Sequence, residues 1–369
     1  MTPLRAIGWP DAGPVADPRW AACFAAHPQA RPARVVEQHR TGYMVAEGPD
    51  AMAMAESPPD WQRATGYRKG KVAPEDRAAV GDWVLIDGRP QAPRIVALLP
   101  RHSAIKRGAA GEHYRQQLIA ANIDTVFVVC GLDADFNPRR IERYLVLVLG
   151  SGATPVIVLT KADKAGEAAV SAARAGLAGL ALQDVAVLAV NAKDPASVDA
   201  FAPWLAPGRS VVLVGSSGAG KSTLTNTLLG VERMKTAEVR AHDARGRHTT
   251  THRALIPLPA GACLIDTPGM RELKPTGEEN VAESFDDIEA LAAECRFRDC
   301  RHQREPGCAV CAALEAGTLD AGRYANFVKL RDEIAGAADR LASRMAQKND
   351  AKAATRPPGR RVDEKPGRR

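Results

Sequence analysis

Val211-Val212-Leu213-Val214-Gly215-Ser216-Ser217-Gly218-Ala219-Gly220-Lys221-Ser222-Thr223 decides how the rest of this 369-residue chain is read. Four branched apolar residues suit a buried strand, G-x-x-x-x-G-K-S follows, and the residues from Ser222 suit the start of a helix, the context this phosphate-binding loop requires. The glycines let backbone N–H groups turn inward around an anion, and the helix N-terminus adds its partial positive charge. Gly215 through Thr223 are therefore the expected phosphate contacts, with Lys221 reaching the outer phosphates and Ser222 holding Mg²⁺. A glycine-rich turn matching by chance would need neither the strand before nor the helix after.

Outward from the loop, strands and helices alternate. Asp124–Cys130, Pro155–Leu159, Val185–Val190 and Ala262–Ile265 read as buried strands, and residues 168–180 and 197–205 as helices. Asn137-Pro138 opens a further helix, Asn as cap and Pro at its first position. The expectation is a doubly wound α/β domain over residues 109–276.

Three motifs sit at strand ends. Thr160-Lys161-Ala162-Asp163 resembles Asn-Lys-x-Asp, in which a carboxylate accepts two hydrogen bonds that guanine offers and adenine cannot. Thr160 replaces the amide, so guanine selectivity rests mostly on Asp163, with Thr160, Lys161 and Ala162 also expected to line the GTP site. Asn191-Ala192-Lys193 resembles the Ser-Ala-Lys turn that contacts the guanine carbonyl; a plain strand-exit turn is the competing reading. Asp266-Thr267-Pro268-Gly269 fits D-x-x-G, whose carboxylate orders Mg²⁺ and whose Gly N–H senses the γ-phosphate. Between loop and D-x-x-G lies His248-Thr249-Thr250, and one of the two threonines is expected to complete the Mg²⁺ shell. Met270 stands where Ras-like enzymes carry a water-positioning Gln and can do nothing to water, which leaves His248 as the local candidate for catalysis, against its reading as a solvated loop residue. The base-reading elements precede the phosphate loop, so the domain is circularly permuted, and the chain leaving Asp266–Met270 runs directly into whatever follows.

The flanks differ in kind. Residues 1–33 read as a poorly ordered, Pro- and Ala-rich lead-in with one short helix near Trp20–Ala26. Residues 34–108 carry short strands (Arg34–His39, Tyr43–Glu47, Val80–Asp87, Arg94–Pro100) with Gly/Pro punctuation, a small β-barrel; the basic stretch Arg63–Lys71 suits a nucleic-acid backbone or is a solvated loop. Residues 277–343 hold Cys295-x₄-Cys300-x-His302-x₅-Cys308, three thiolates and an imidazole that suit a structural, tetrahedral Zn²⁺. Cys311 competes as a ligand. Tyr324, Phe327, Val328, Ile334, Ala338 and Leu341 form a core-facing helical stripe.

Hydrophobic content of 45% and charged content of 25% are ordinary for a globular chain. The net charge of +7 is concentrated at the C-terminus: from Leu341 to Arg369 nine Lys/Arg face three Asp/Glu, and the rest of the chain carries only +1. Residues 344–369 are thus expected to be a disordered basic tail, either a polyanion ligand or a solubilising end. No apolar run is long enough to cross a bilayer and the N-terminus lacks a signal-peptide core, so a cytosolic protein with reduced cysteines is expected.

Barrel, permuted GTPase and Cys₃His module in this order resemble the ribosome small-subunit-dependent GTPase A family (RsgA, also called YjeQ). Leu99-Pro100, Ala120–Asp124, Arg143–Leu145, Thr160–Asp163, Gly215–Thr223, His248–Thr251, Asp266–Gly269 and the cysteine cluster carry the likeness. It implies an OB-fold N-terminal domain, binding of GTP and GDP, GTP hydrolysis stimulated by the 30S subunit, contact with 16S rRNA, and a role late in small-subunit maturation, in a protein expected to be a monomer. The family also lacks the catalytic Gln, and His248 matches the histidine proposed to act there. The alternative is a GTP-sensing RNA-binding protein whose hydrolysis is vestigial; an ATPase is disfavoured by Asp163.

Overall fold

Small and branched residues recur at every second position along the N-terminal strands, and that period closes a barrel. The computed structural model describes residues 3–10, 17–39, 42–61, 72, 76–108, 116–178, 185–232, 254–266 and 275–354. Arg31–Gln38 (β1), Tyr43–Gly48 (β2), Ala51–Ala55 (β3), Trp83–Arg89 (β4) and Ala92–Leu98 (β5) pair antiparallel in the order β3-β2-β1-β4-β5. The ends of this ribbon meet in a parallel bridge. Glu56 N–H donates to Pro93 O at 2.9 Å, and Ile95 N–H donates to Glu56 O at 3.0 Å. Ala33, Val35, Tyr43, Val45, Val84, Ile86 and Ile95 fill the interior.

The lead-in is a correction to the sequence reading. Its described residues hold a 3₁₀ turn at Arg5–Ile7 and a helix at Pro18–Ala26 (α1), and β1 begins inside it. Asp17 caps α1, accepting from Arg19 N–H at 2.8 Å. Ile7 and Trp20 are buried, Trp9 meets Trp83 edge-on at 4.6 Å, and Trp20 Nε1–H donates to Pro100 O at 2.8 Å. Composition suggested disorder; three indoles supply the apolar area that outweighs the ordering entropy. Arg34 fastens the same junction. Fully buried, it donates to Ile7 O (2.7 Å), Gly81 O (3.2 Å), Asn122 O (3.2 Å) and Ser210 Oγ (2.7 Å), and lies over Trp83.

A hairpin, Ala104–Gly108 (β6) with Gln116–Ala121 (β7), leads into the main sheet. That sheet comprises Thr125–Gly131 (β8), Thr154–Thr160 (β9), Val187–Ala189 (β10), Ser210–Val214 (β11), Ala254–Pro257 (β12) and Cys263–Asp266 (β13) in the order β10-β9-β8-β11-β13-β12. All neighbours are parallel except β12, which runs antiparallel to β13 and on its far side pairs with β1 through Glu37↔Ala254. Every residue of β8 is buried, with alternate residues in two cores. Val126, Val128 and Cys130 share a core with Pro138–Leu149 (α2), through Ile141, Tyr144, Leu145 and Val148. Phe127 and Val129 face Phe201 of the 3₁₀ segment Pro195–Trp204 and Leu224 and Leu228 of Lys221–Leu229 (α5). Ala162–Ala165 (α3) and Glu167–Ala178 (α4) connect β9 to β10.

The C-terminal unit contains Asp286–Ala293 (α6), Ala309–Glu315 (α7) and Ala321–Ala354 (α8) around Phe285, Ile288, Val310, Phe327, Leu330 and Ile334, with Val146 of α2 in the same core. Helix α8 continues past Ser343, where a disordered tail was expected to begin; Ala, Lys and Gln there are good helix formers despite their polarity. Residues 355–369 lie outside the described residues. A buried ion cluster joins this unit to α2. Arg323 Nη1 is 2.6 Å from Glu142 Oε1, its Nε and Nη2 grip Asp287 at 2.8 and 2.6 Å, and Asn326 Nδ2 donates to Glu142 Oε2 at 2.6 Å.

Candidate functional site: a nucleotide edge and a metal knuckle

Five parallel strands bring their C-terminal ends to one edge of the sheet, where open α/β sheets take ligands. Four of those ends carry the expected motifs: Thr160–Asp163 after β9, Asn191–Ala192 after β10, the phosphate loop after β11, and Asp266 closing β13.

The loop is shaped by glycines. Gly215, Gly218 and Gly220 have φ of 143°, 81° and 92°, and a Cβ on Gly215 would lie 2.1 Å from Val129 O, so no side chain fits there. Gly220 precedes α5, whose first N–H groups face the loop. Lys221 Nζ donates to Gly215 O at 2.7 Å and also to Ser216 O, so the ammonium lies over the loop. Ser217 and Gly218 are exposed at its tip, Ala219 is buried beneath it, and Ser222 and Thr223 are half-buried in the first turn of α5.

Thr160 faces the phosphate loop. Fully buried, its hydroxyl donates to Ala219 O at 2.6 Å and so ties β9 to the phosphate loop. Lys161 has φ of 62° and turns the chain into α3, leaving Asp163 exposed. Asn191 Oδ1 accepts from Lys193 N–H at 3.0 Å, and Ala192 O accepts from Thr227 at 2.5 Å, which ties the turn after β10 to α5. Asp266 is half-buried and pairs with Ala254 across β13 and β12. His248, Thr249, Thr250, Gly269 and Met270 lie outside the described residues, as does Arg63–Lys71.

Sequence reasoning missed the turn between β8 and α2. Asp133 Oδ2 holds Lys161 Nζ at 2.6 Å, while Asp135 Oδ1 accepts from Ser216 Oγ at 2.5 Å and is paired with Arg140 of α2. The available signal was Asp133-x-Asp135, one residue before the Asn137-Pro138 cap.

The second site lies between α6 and α7. The ligand atoms of Cys295, Cys300, His302 and Cys308 all fall within 4.8 Å of one another. Cys295 Sγ and Cys308 Sγ are 3.8 Å apart, and each lies 3.5 Å from His302 Nδ1. A tetrahedron with metal–sulfur bonds of about 2.3 Å and metal–nitrogen of about 2.0 Å requires roughly 3.8 and 3.5 Å for those separations. The donor set fits such an ion. Burial pushes the Cys308 thiol up, but the Cys311 N–H and the hydrogen bonds from His302 and the neighbouring thiols outweigh it and bring it to about 6. Burial drives the Cys300 thiol up to about 11. Cys311 stands outside the four: its backbone N–H donates to Cys308 Sγ at 3.4 Å, which leaves it supporting a ligand. Glu305 organises the loop between His302 and Cys308, accepting from the N–H groups of Arg301 (2.9 Å), Gln303 (2.8 Å) and Arg304 (3.1 Å), and those bonds, Arg301's first, lower its carboxyl to about 2.

A strand–loop–helix phosphate cradle, the Thr160–Asp163 turn at the adjoining strand end and Asp266 closing β13, in permuted order, define a P-loop GTPase. Comparison with known proteins agrees. The RsgA GTPase family profile matches residues 98–276. Over 367 residues the chain is 66% identical to the small ribosomal subunit biogenesis GTPase RsgA of Xanthomonas campestris pv. campestris (strain B100), covering 99% of this chain and 97% of that one. It is 65% identical, with the same coverage, to the protein of that name from Xanthomonas oryzae pv. oryzae (strain MAFF 311018). Among solved structures, YjeQ from Thermotoga maritima aligns with a TM-score of 0.57 at 23% identity over 83% of this chain and 99% of that one. YloQ, described as a circularly permuted GTPase, gives 0.56 at 22% identity over 85% and 97%. These two likenesses bear on the fold. The chain belongs to the RsgA GTPase family and is a GTP-hydrolysing enzyme. Among the described residues no helix is long and apolar enough to cross a membrane.

Proposed function

We propose that this GTPase works on the small ribosomal subunit: it binds the 30S particle and its 16S rRNA late in maturation, and subunit-stimulated hydrolysis of GTP to GDP and phosphate drives its release. The observation that carries this is the 66% identity, across 99% of the chain, to a relative named for small ribosomal subunit biogenesis. The likeness spans barrel and metal knuckle as well as the GTPase sheet.

In this reading the closed barrel, with its parallel Glu56–Arg94 bridge, is an OB-fold spanning residues 34–108 and faces RNA. Residues 109–276 bind nucleotide. Asp163 reads guanine with Lys161, Ala162, Asn191 and Ala192 around it, Gly215–Thr223 hold the phosphates, and Gly269 senses the γ-phosphate. Mg²⁺ is held by Ser222, by Thr249 or Thr250, and by Asp266, and supplies charge neutralisation at the phosphates. His248 handles the proton of the attacking water in place of the missing Gln. Residues 277–343 form a zinc unit in which Cys295, Cys300, His302 and Cys308 hold one structural Zn²⁺. The protein acts in the cytoplasm as a monomer.

The test is GTP and ATP turnover by the purified chain, alone and with saturating 30S subunits. Strong, GTP-specific stimulation is the expected result; tight GTP binding with no stimulation would instead leave a nucleotide-sensing RNA binder. Metal analysis of the same preparation should give one zinc per chain, lost in Cys308→Ser.

A further inference from the structure

Three strand ends meet at the nucleotide edge, and each is tied to the other two. Thr160 at the end of β9 holds Ala219 O of the phosphate loop. The remaining two ties come from one short segment after β8. There Asp133 holds Lys161 of the base-reading turn at 2.6 Å, and Asp135 holds Ser216 of the phosphate loop at 2.5 Å. The segment is itself stiff. Leu132 N–H donates to Thr160 O (2.9 Å), Gly131 N–H to Asp135 Oδ2 (3.1 Å), Asp135 N–H to Asp133 Oδ1 (3.0 Å) and Phe136 N–H to Asp133 O (2.9 Å). Arg140, in the first turn of α2, binds both the carboxylate and the carbonyl of Asp135.

Two carboxylates beside a site for a polyphosphate anion are electrostatically unfavourable unless they do something else. Both are neutralised locally, Asp135 by Arg140 and Asp133 by Lys161, so their remaining effect is geometric. We propose that Asp135 and Asp133 are positioning residues that preorganise the two halves of the nucleotide site: Asp135 sets the phosphate loop through Ser216, and Asp133 sets the base-reading turn through Lys161. Neither touches nucleotide. Each holds in advance a segment that binding would otherwise have to order.

This rests on reading Gly215–Thr223 as the phosphate loop and Asp163 as the base reader, and the experiment separates the two levels. Affinities of the full-length chain for fluorescent (mant) GTP, GDP and ITP are measured with Mg²⁺, alongside the melting temperature of each nucleotide-free variant. Ser216→Ala, which removes the charge-assisted hydrogen bond, and Asp135→Asn, which removes its charge and the pairing with Arg140, should each weaken mant-GTP and mant-GDP by about tenfold. The double variant should be no weaker than the worse single, because both changes act on the one Ser216–Asp135 contact, which the serine change removes and the asparagine change strips of its charge. Asp135→Asn should leave the GTP-to-ITP preference intact, whereas Asp133→Asn should shrink it. Unchanged or tighter binding by Asp135→Asn, additive losses in the double variant, or a lowered melting temperature with affinity intact would overturn the proposal. If Lys221→Ala, which attacks the phosphate loop directly, binds mant-GTP as the unaltered chain does, the underlying reading fails and this inference falls with it.

Discussion

Replacing Arg323 by Met tests how the metal unit is held to the GTPase sheet. Arg323 is 3% exposed and bridges Glu142 of α2, itself 2% exposed, to Asp287 of α6. Deleting one partner of a buried pair costs roughly 3–5 kcal/mol, because a desolvated charge is left behind. Two facts place this case at the lower end. Asp287 is 34% exposed and regains water, and Glu142 keeps Arg139 at 2.8 Å and Asn326 at 2.6 Å. The expected loss is about 3 kcal/mol, or roughly a hundredfold in local opening. All five tryptophans, Trp9, Trp20, Trp61, Trp83 and Trp204, precede residue 277, so fluorescence would miss the event. Native-state hydrogen exchange of α6 and α8 amides reads it directly. Adding Glu142→Gln should recover part of the protection by removing the stranded charge. Exchange within about fivefold of the unaltered chain would refute the reasoning, since it would mean that Arg139 and Asn326 alone satisfy Glu142.

Three further outcomes are expected. Asp163→Asn should move base preference from guanine towards xanthine in a competition assay, and unchanged GTP affinity would remove Asp163 from the base site. Gly215→Ala should abolish nucleotide binding by equilibrium dialysis, because its Cβ would collide with Val129 O at 2.1 Å. Glu305, its carboxyl depressed from the ordinary 4.5 to about 2, contributes stability that is present above pH 4.5 and lost as pH falls towards 2. The melting temperature of Glu305→Gln should therefore lie below that of the unaltered chain by a constant margin near neutrality, and the margin should close in acid; a margin that widens in acid contradicts the sign.

The β11 strand, the phosphate loop, the Asn137 cap and the four-ligand cluster were legible because each depends on residues close in sequence. Strand β3 was not: Ala51-Met52-Ala53-Met54-Ala55 lacks the branched and aromatic residues that mark strands, and is held by pairing to β2. Helix α8 was cut short because charge was read as disorder, whereas helix propensity carries it to Ala354. Arg34 looked like an ordinary strand residue. Its acceptors Ile7, Gly81, Asn122 and Ser210 come from four separate stretches, which no local pattern reveals. Thr160 belongs to a local tetrapeptide motif, but its bond to Ala219 O, fifty-nine residues on, is one that no local pattern reveals.

The pairing of β12 with β1 has a bearing on aggregation. An outermost strand normally presents a row of unpaired N–H and C=O groups to any other chain. Here the edge of the GTPase sheet at β12 is met by β1 at Glu37↔Ala254, so the barrel shields it. A fragment beginning at residue 109 would bare that edge and strip away the Arg34 and Trp83 packing behind it. Such a fragment should self-associate through β12, and the N-terminal barrel is, apart from any partner it binds, the guard that keeps the nucleotide sheet soluble.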